Sequence, residues 1–330
     1  MKRYKKIRAA ALALASAVLL GGCRIGNTQV VLVKPISSHE VFKIDDEICT
    51  KKEAKVYLTN YMNIYGRAYG IDLWKSEADT EKVEQYIKDV TVSHLSKVKC
   101  MNGIAKEQEM ELTKEEKKKI SKAADTYYSS LSKEDRKYMG VHKSDIEDMY
   151  QEYWLAVKVH QSLIGSVDEE VSDDEARVME AMQIFVKERS KAREVRKRLK
   201  SGENFATIAG TYNEKGRVEL TFGREDVPEE VAQEAFELEN EEISGVIATE
   251  EGYYFIKCVN KYNQELTDKN KEVILESRKE KAFHDVYDAY IAKISTVFND
   301  KMWKKVKLEP NNKVSTDRFF EVIDEAIQEK

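Results

Sequence analysis

Side chains able to do acid–base, nucleophilic or metal chemistry are scattered along this chain rather than grouped. The five histidines, His39, His94, His142, His160 and His284, include no i, i+4 pair that would turn two imidazoles to one metal. Cys49, Cys100 and Cys258 are widely spaced and make no C-x-x-C, so neither a zinc site nor a disulfide framework is indicated; a single Cys49–Cys100 bridge is possible in an oxidising compartment. There is no G-x-S-x-G, P-loop, G-x-G-x-x-G or H-E-x-x-H. Acidic runs such as "DDEARV" have the composition of a helix start rather than of a metal site. No metal and no cofactor is expected. What remains is a tyrosine. In "EEGYYFIKCVN", residues 250–260, a strand enters through Gly252; Tyr254, Ile256 and Cys258 fall on one face, and Tyr253, Phe255, Lys257 and Val259 on the other. Tyr254, at the mouth of such a strand, is either plain core or a hydrogen-bonding group pointing into a site.

The elements that position this strand follow from pattern. With 35% charged residues, 14 glycines and three prolines, the chain is expected to be rich in helix. "EVFKIDDEICT" reads as two short strands around an Asp45-Asp46 turn, and Thr50 with Glu53 forms a capping box that opens a helix to about residue 69. Further helices are expected from residue 81 to about 98, from the Thr113-x-x-Glu116 box, and from the Ser144-x-x-Glu147 box, the last with Ile146, Met149, Tyr150, Tyr153, Trp154 and Val157 on one face. After Ser172 the texture changes. "EAMQIFV" and "RVELTFG" read as strands; "SKAREVRKRLKSG", "NFATIAGTY" and "DVPEEVAQEAFEL" read as helices, with Pro228 in the first turn of the third. A long helix then starts near Thr267, "MWKKVKLEP" reads as a terminal strand, and "STDRFFEVIDEAI" as a last amphipathic helix. The expected class is α+β: a small antiparallel sheet with helices, residues 171–263, inserted into a mainly helical lobe made of residues 38–170 and 264–330. No function is assigned to the tail, 311–330.

The N-terminus sets the compartment. Lys2, Arg3, Lys5, Lys6 and Arg8 precede an apolar run over residues 9–20, too short to span a bilayer as a mature helix. The run closes on Leu20-Gly21-Gly22-Cys23, which resembles the lipobox of bacterial lipoproteins; the resemblance implies cleavage after residue 22, a lipid on Cys23 and a tether over 23–37. Losing the first 22 residues takes the net charge from −5 to −10. With no basic stripe interleaved with aromatics, a nucleic-acid partner is not expected.

Within the inserted unit, "EAMQIFV…AREVRKRLKSGENFATIAGTYNE…LTFGRED…AFELENEEISGVIATEEGYYFIKCVNKY" resembles a parvulin-type, PpiC-like peptidyl-prolyl cis-trans isomerase domain. With lipobox, helices, inserted unit and returning helix in that order, the whole arrangement is similar to the PrsA-like foldase lipoproteins of Gram-positive bacteria. The reaction that this implies breaks no bond. Rotation about X–Pro crosses a barrier of ~18–20 kcal/mol, so an apolar pocket must grip the ring and polar groups must favour the twisted amide. The family's two histidines correspond to Gln183 and Tyr254, and its acidic or cysteine residue falls near Val218 or Glu219. Thr249, Phe222 and Phe236 match the family pattern; the pocket positions often held by Met and Phe correspond to Val227 and Val231.

Two readings of the site follow: Gln183 and Tyr254 replace the histidines as neutral hydrogen-bonding groups and isomerase activity survives, or the site is degenerate and the unit binds or spaces peptides. The resemblance implies an extracytoplasmic, membrane-tethered foldase whose partners are unfolded or prolyl-containing secreted polypeptides, with the tyrosine-rich lobe holding them against exposed aromatics in a cleft. The alternative is a non-catalytic chaperone or envelope scaffold on the same fold. No oligomeric state is specified.

Overall fold

The computed structural model describes residues 36–69, 80–306 and 313–329. The leader, Cys23 and most of the tether lie outside them. The described chain forms two compact units, one from residues up to 165 together with 283 onward, the other from 166 to 282.

The first unit opens with β1 (Glu40–Ile44) and β2 (Glu47–Thr50), joined by a turn in which Asp45 takes a φ of 48°. Thr50 N–H donates to Glu53 Oε2 at 2.7 Å and Glu53 N–H to Thr50 Oγ1 at 3.2 Å, the reciprocal box that starts α1 (Lys51–Tyr69). Helix α2 (Thr80–Glu107) does not end near Val98, because Met101, Ile104 and Ala105 continue its buried stripe. Gly103 in this extension lets α2 approach a neighbour, since a Cβ there would lie 1.8 Å from Tyr290 Oη. Helix α3 (Lys114–Ser130) starts at the Thr113–Glu116 box as expected. A short α4 (Lys133–Met139), capped by Ser132 and Asp135, was not anticipated. Helix α5 (Lys143–Gly165) does not use a Ser144–Glu147 box: Asp145 accepts the His142 N–H at 2.6 Å, so the helix starts ahead of Ser144.

The second unit holds a short α6 (Asp173–Ala176), β3 (Met179–Val186), α7 (Arg189–Lys200), α8 (Phe205–Tyr212), β4 (Glu219–Phe222), α9 (Glu229–Ala235), β5 (Ile247–Thr249) and β6 (Gly252–Asn260). Gly202, at a φ of 81°, ends α7, and Pro228 caps α9 rather than entering its first turn. The sheet is antiparallel in the order β4-β3-β6-β5. Both of its faces are covered, which explains why β6 is buried along most of its length: Tyr254, Ile256 and Cys258 pack with Val231 and Ala235 of α9, while Phe255 packs with Val195 of α7 and Ile208 of α8.

Helix α10 (Gln264–Ile291) runs from the second unit into the first. There β7 (Thr296–Phe298) pairs with β1, giving a second antiparallel sheet, β2-β1-β7. Of the expected strand over "MWKKVKLEP", residues 302–306 are described, and they form no strand. Asn299 caps a helical turn, α11 (Asp300–Trp303), which buries Met302 and Trp303. The last helix, α12 (Phe319–Gln328), is present as expected. Cys49, Cys100 and Cys258 are all free and buried, so there is no Cys49–Cys100 bridge. Tyr57, Tyr127, Tyr150 and Tyr153 do not line an open cleft, being among the most deeply buried side chains of the helical lobe, whereas Tyr86 is exposed.

Candidate functional site

The β3–β6 register sets Phe185 opposite Tyr254 and Gln183 opposite Ile256, so Gln183 and Tyr254 share a face of the sheet on adjacent strands. The same face carries Phe222 from β4 and Ile247 from β5, closed over by Val231 and by Phe236 just after α9, with Val227 half-buried at the edge. The residues singled out from sequence therefore converge. Phe222, Val231 and Phe236 are packed floor, however, and not open wall. Phe222 meets Phe236 edge-on at 5.8 Å, and the guanidinium groups of Arg177 and Arg224 lie 5.0 and 4.6 Å from the Phe236 ring. Thr249, at the end of β5, donates to the Gly252 carbonyl at 3.2 Å and so fixes the turn before β6. Gly252 itself has a φ of 153°, and a Cβ there would lie 2.6 Å from the Val186 carbonyl and 3.0 Å from the Phe185 ring. Only glycine lets β6 enter this close to β3.

The two residues at the family's histidine positions behave differently. Gln183 is buried, and its Nε2 donates to the Arg217 carbonyl at 2.7 Å while its backbone N–H donates to the Val218 carbonyl. It clamps the loop that leads to β4. Asn213 fastens the other end of this loop: its Oδ1 accepts from Phe185 N–H at 3.0 Å, and its Nδ2 donates to the Lys215 and Arg217 carbonyls. The clamped loop delivers Lys215 to the mouth of the sheet. Lys215 Nζ donates to Tyr254 Oη at 2.5 Å and pairs with Glu251 at 2.9 Å, while Tyr254 donates to Glu251 Oε2 at 3.3 Å. The ammonium also lies 4.9 Å from the Phe185 ring centre and 5.0 Å from that of Tyr254, and those rings are 4.7 Å apart. The bonds to Tyr254 and Glu251 raise the Lys215 pKa, and the Lys215 bond holds the Glu251 carboxyl below its ordinary range.

Lys215, Glu251 and Phe185 are the site residues that sequence reasoning missed. The charged position was sought near Val218 or Glu219, but Val218 packs against the opposite-face cluster and Glu219 is exposed. Among the described residues no group of histidine, cysteine, aspartate or glutamate side chains is arranged to hold a metal, and no helix is long and apolar enough to cross a membrane.

Residues 167–269 match the family described as PPIC-type PPIASE domain. The chain is 25% identical over 233 residues to the foldase protein PrsA of Caldanaerobacter subterraneus subsp. tengcongensis, covering 68% of this chain and 74% of that one. It is 24% identical over 268 residues to foldase protein PrsA of Clostridium botulinum, covering 72% and 79%. Against a crystal structure of the peptidylprolyl isomerase PrsA from Bacillus cereus the TM-score is 0.39 at 20% identity, over 75% of this chain and 94% of that one. The chain is thus PrsA-like, with a PPIC-type domain spanning residues 167–269.

Proposed function

We propose that this protein is a foldase held outside the cytoplasm by a lipid on Cys23, acting on unfolded, proline-containing secreted polypeptides, with residues 171–263 as its prolyl-peptide unit. The observation that carries this reading is the convergence of Gln183, Tyr254, Phe222, Val231 and Phe236 on one sheet face, with a charged hydrogen-bonding group at its mouth. Isomerisation needs no nucleophile. It needs the prolyl ring held on apolar ground and a donor that binds the twisted amide better than the planar one. Tyr254 can serve as that donor: Lys215 polarises its hydroxyl, and the long bond to Glu251 is the one that a peptide carbonyl would replace. Val227, half-buried at the edge of the apolar floor, is where a ring would seat.

A protease-coupled prolyl-peptide assay on the mature chain tests this. Acceleration above the uncatalysed rate is expected, with loss in Tyr254→Phe and Lys215→Met. A rate equal to the uncatalysed one would overturn the isomerase claim. The second reading, a non-catalytic peptide-binding chaperone or scaffold, is favoured by the engagement of the Gln183 amide with the Arg217 carbonyl and by the burial of the pocket floor; suppression of client aggregation without isomerase activity would support it. Cys23→Ser is expected to release the protein from the membrane fraction.

A further inference from the structure

The tyrosine-rich faces of the helical unit are buried because the chain's own C-terminal segment covers them. Phe319 meets Tyr57, Tyr127 and Tyr150 with ring centres 5.3, 5.3 and 4.7 Å apart. Phe320 lies against Tyr57, Tyr61 and His94 at 5.1, 4.9 and 5.4 Å. Val322 and Ile323 complete the buried side of α12.

The way the backbone is held goes beyond ordinary core packing. Residues 314–318 have no regular structure, and side chains of α1, α4 and α5 bind their main chain and its junction with α12. Asp135 Oδ1 accepts the Ser315 N–H at 3.0 Å, and Asn63 Nδ2 donates to the Thr316 carbonyl at 2.8 Å. Asn60 Oδ1 accepts the Phe319 N–H at 3.1 Å, and Tyr150 Oη donates to the Phe319 carbonyl at 2.7 Å. Arg318 gives α12 no side-chain cap; Asn60 satisfies one of the helix's first N–H groups in its place. Contacts to amides and carbonyls do not depend on which side chains the bound segment carries, and apolar hollows then select the anchors. Protein domains recognise peptides in this way.

We propose that this groove is a polypeptide-binding site, and that residues 313–329 are a displaceable occupant of it. The ligand class is a short extended stretch followed by two adjacent large apolar residues at the start of an amphipathic helix. Two features make the occupant displaceable. Its ten-residue helix is too short to persist undocked, so release exchanges an ordered segment for a disordered one. The docked state also leaves His94 Nε2 and Asp324 Oδ2 buried without a hydrogen-bond partner among the described residues, which weakens docking. The proposal rests on the foldase reading only for the identity of the competing polypeptide, and the prolyl-peptide assay does not bear on it.

The test uses the full chain and a fluorescein-labelled peptide of residues 313–329. Phe319→Ala with Phe320→Ala is expected to vacate the groove, so that the peptide binds this variant about tenfold or more tighter than it binds the unaltered chain. In the unaltered chain, native-state hydrogen exchange is expected to open α12 about tenfold or more often than α5. A variant that keeps a cooperative melt yet binds no peptide would overturn the proposal. Exchange of α12 in step with α5 would overturn it equally, and that measurement alone decides if the double variant does not fold.

Discussion

Lys99 in the helical unit and Lys215 in the sheet unit are each shared between two oxygen-bearing side chains, yet they sit in opposite surroundings. Lys99 donates to Glu53 and Glu152, both at distances within 2.6 to 2.7 Å, with 1% of its side chain exposed. Lys215 donates to Tyr254 and Glu251 with 39% of its side chain exposed. Burial works against the Lys99 ammonium, but Glu53 and Glu152 outweigh it and hold its pKa above that of an ordinary lysine. Desolvation and the neighbouring Glu53 charge raise the Glu152 carboxyl above its ordinary range. In the first cluster the ammonium and Glu53 are buried, and Glu152 closes the outer side with a third of its side chain exposed. In the second, Lys215 and Glu251 reach solvent while Tyr254 is buried beneath them. Similar hydrogen bonding therefore specifies packing in one unit and, under the proposed function, would serve peptide binding in the other, with access to water separating the two surroundings.

The strongest way to break this comparison is Lys99→Met. Removing the ammonium leaves the buried Glu53 without its ion partner, a defect that costs ~3–5 kcal/mol for a buried pair that loses one partner. Urea unfolding followed by far-UV circular dichroism should show that loss in the helical unit. A cost below about 1 kcal/mol, the range of surface pairs, would place Lys99 in the same class as Lys215.

How much of this was legible in the sequence depended on how local the deciding interaction is. The Thr50–Glu53 and Thr113–Glu116 boxes close over three residues, and both are formed. The alternation of β6 needed only the pleat, and it predicts both packed faces. The start of α5 was misplaced because Asp145 competes with Glu147 as the capping acid, and the Asp145 bond to His142 wins. The continuation of α2 past Val98 was hidden because Lys97, Lys99 and Asn102 break the apolar pattern, although the fold buries all three. At the site, Gln183 and Tyr254 share a face because strand parity and resemblance both point that way. Lys215 was missed because its position depends on the path of a loop, which is held to β3 by contacts distant in sequence, Gln183 to Arg217 and Asn213 to Phe185. The helix of the tail was legible from its own pattern, but what it covers was not, since those partners lie some 170 to 260 residues away in sequence.

A smaller effect sharpens the contrast within the helical unit. Burial pushes Asp324 up to about 7, opposed only by the hydrogen bond from Tyr153. Tyr61 and His94 lie nearby, and burial with the Lys97 charge pushes His94 down to about 3, so it brings no compensating positive charge at neutral pH. An acid raised in the folded state contributes stability that is full below its unfolded value, near pH 4, and lost as pH rises through about 7. Asp324→Asn should remove this dependence. Its stabilisation should be negligible at pH 4 and grow to the order of 2 kcal/mol at pH 8, read from urea midpoints across the range. A constant difference between variant and parent at all pH values would mean that Asp324 does not titrate in that window.

The smallest effect on stability belongs to the exposed cluster, and there the comparison turns on function. Lys215→Met keeps the aliphatic stem over Phe185 and Tyr254 and removes only the charge, so its stability cost should stay below about 1 kcal/mol. Tyr254→Phe keeps the ring against Phe185 and removes only the hydroxyl, again with a small cost because the hydroxyl's partners retain access to water. If Tyr254 is the donor that Lys215 polarises, the two substitutions act on one interaction. Their effects on the prolyl rate should then fail to add, the double variant being no slower than Tyr254→Phe alone. Additive losses would separate the two residues and leave Lys215 as an electrostatic neighbour. Rates unchanged in both single variants, with isomerase activity present in the parent, would move the site off this face of the sheet.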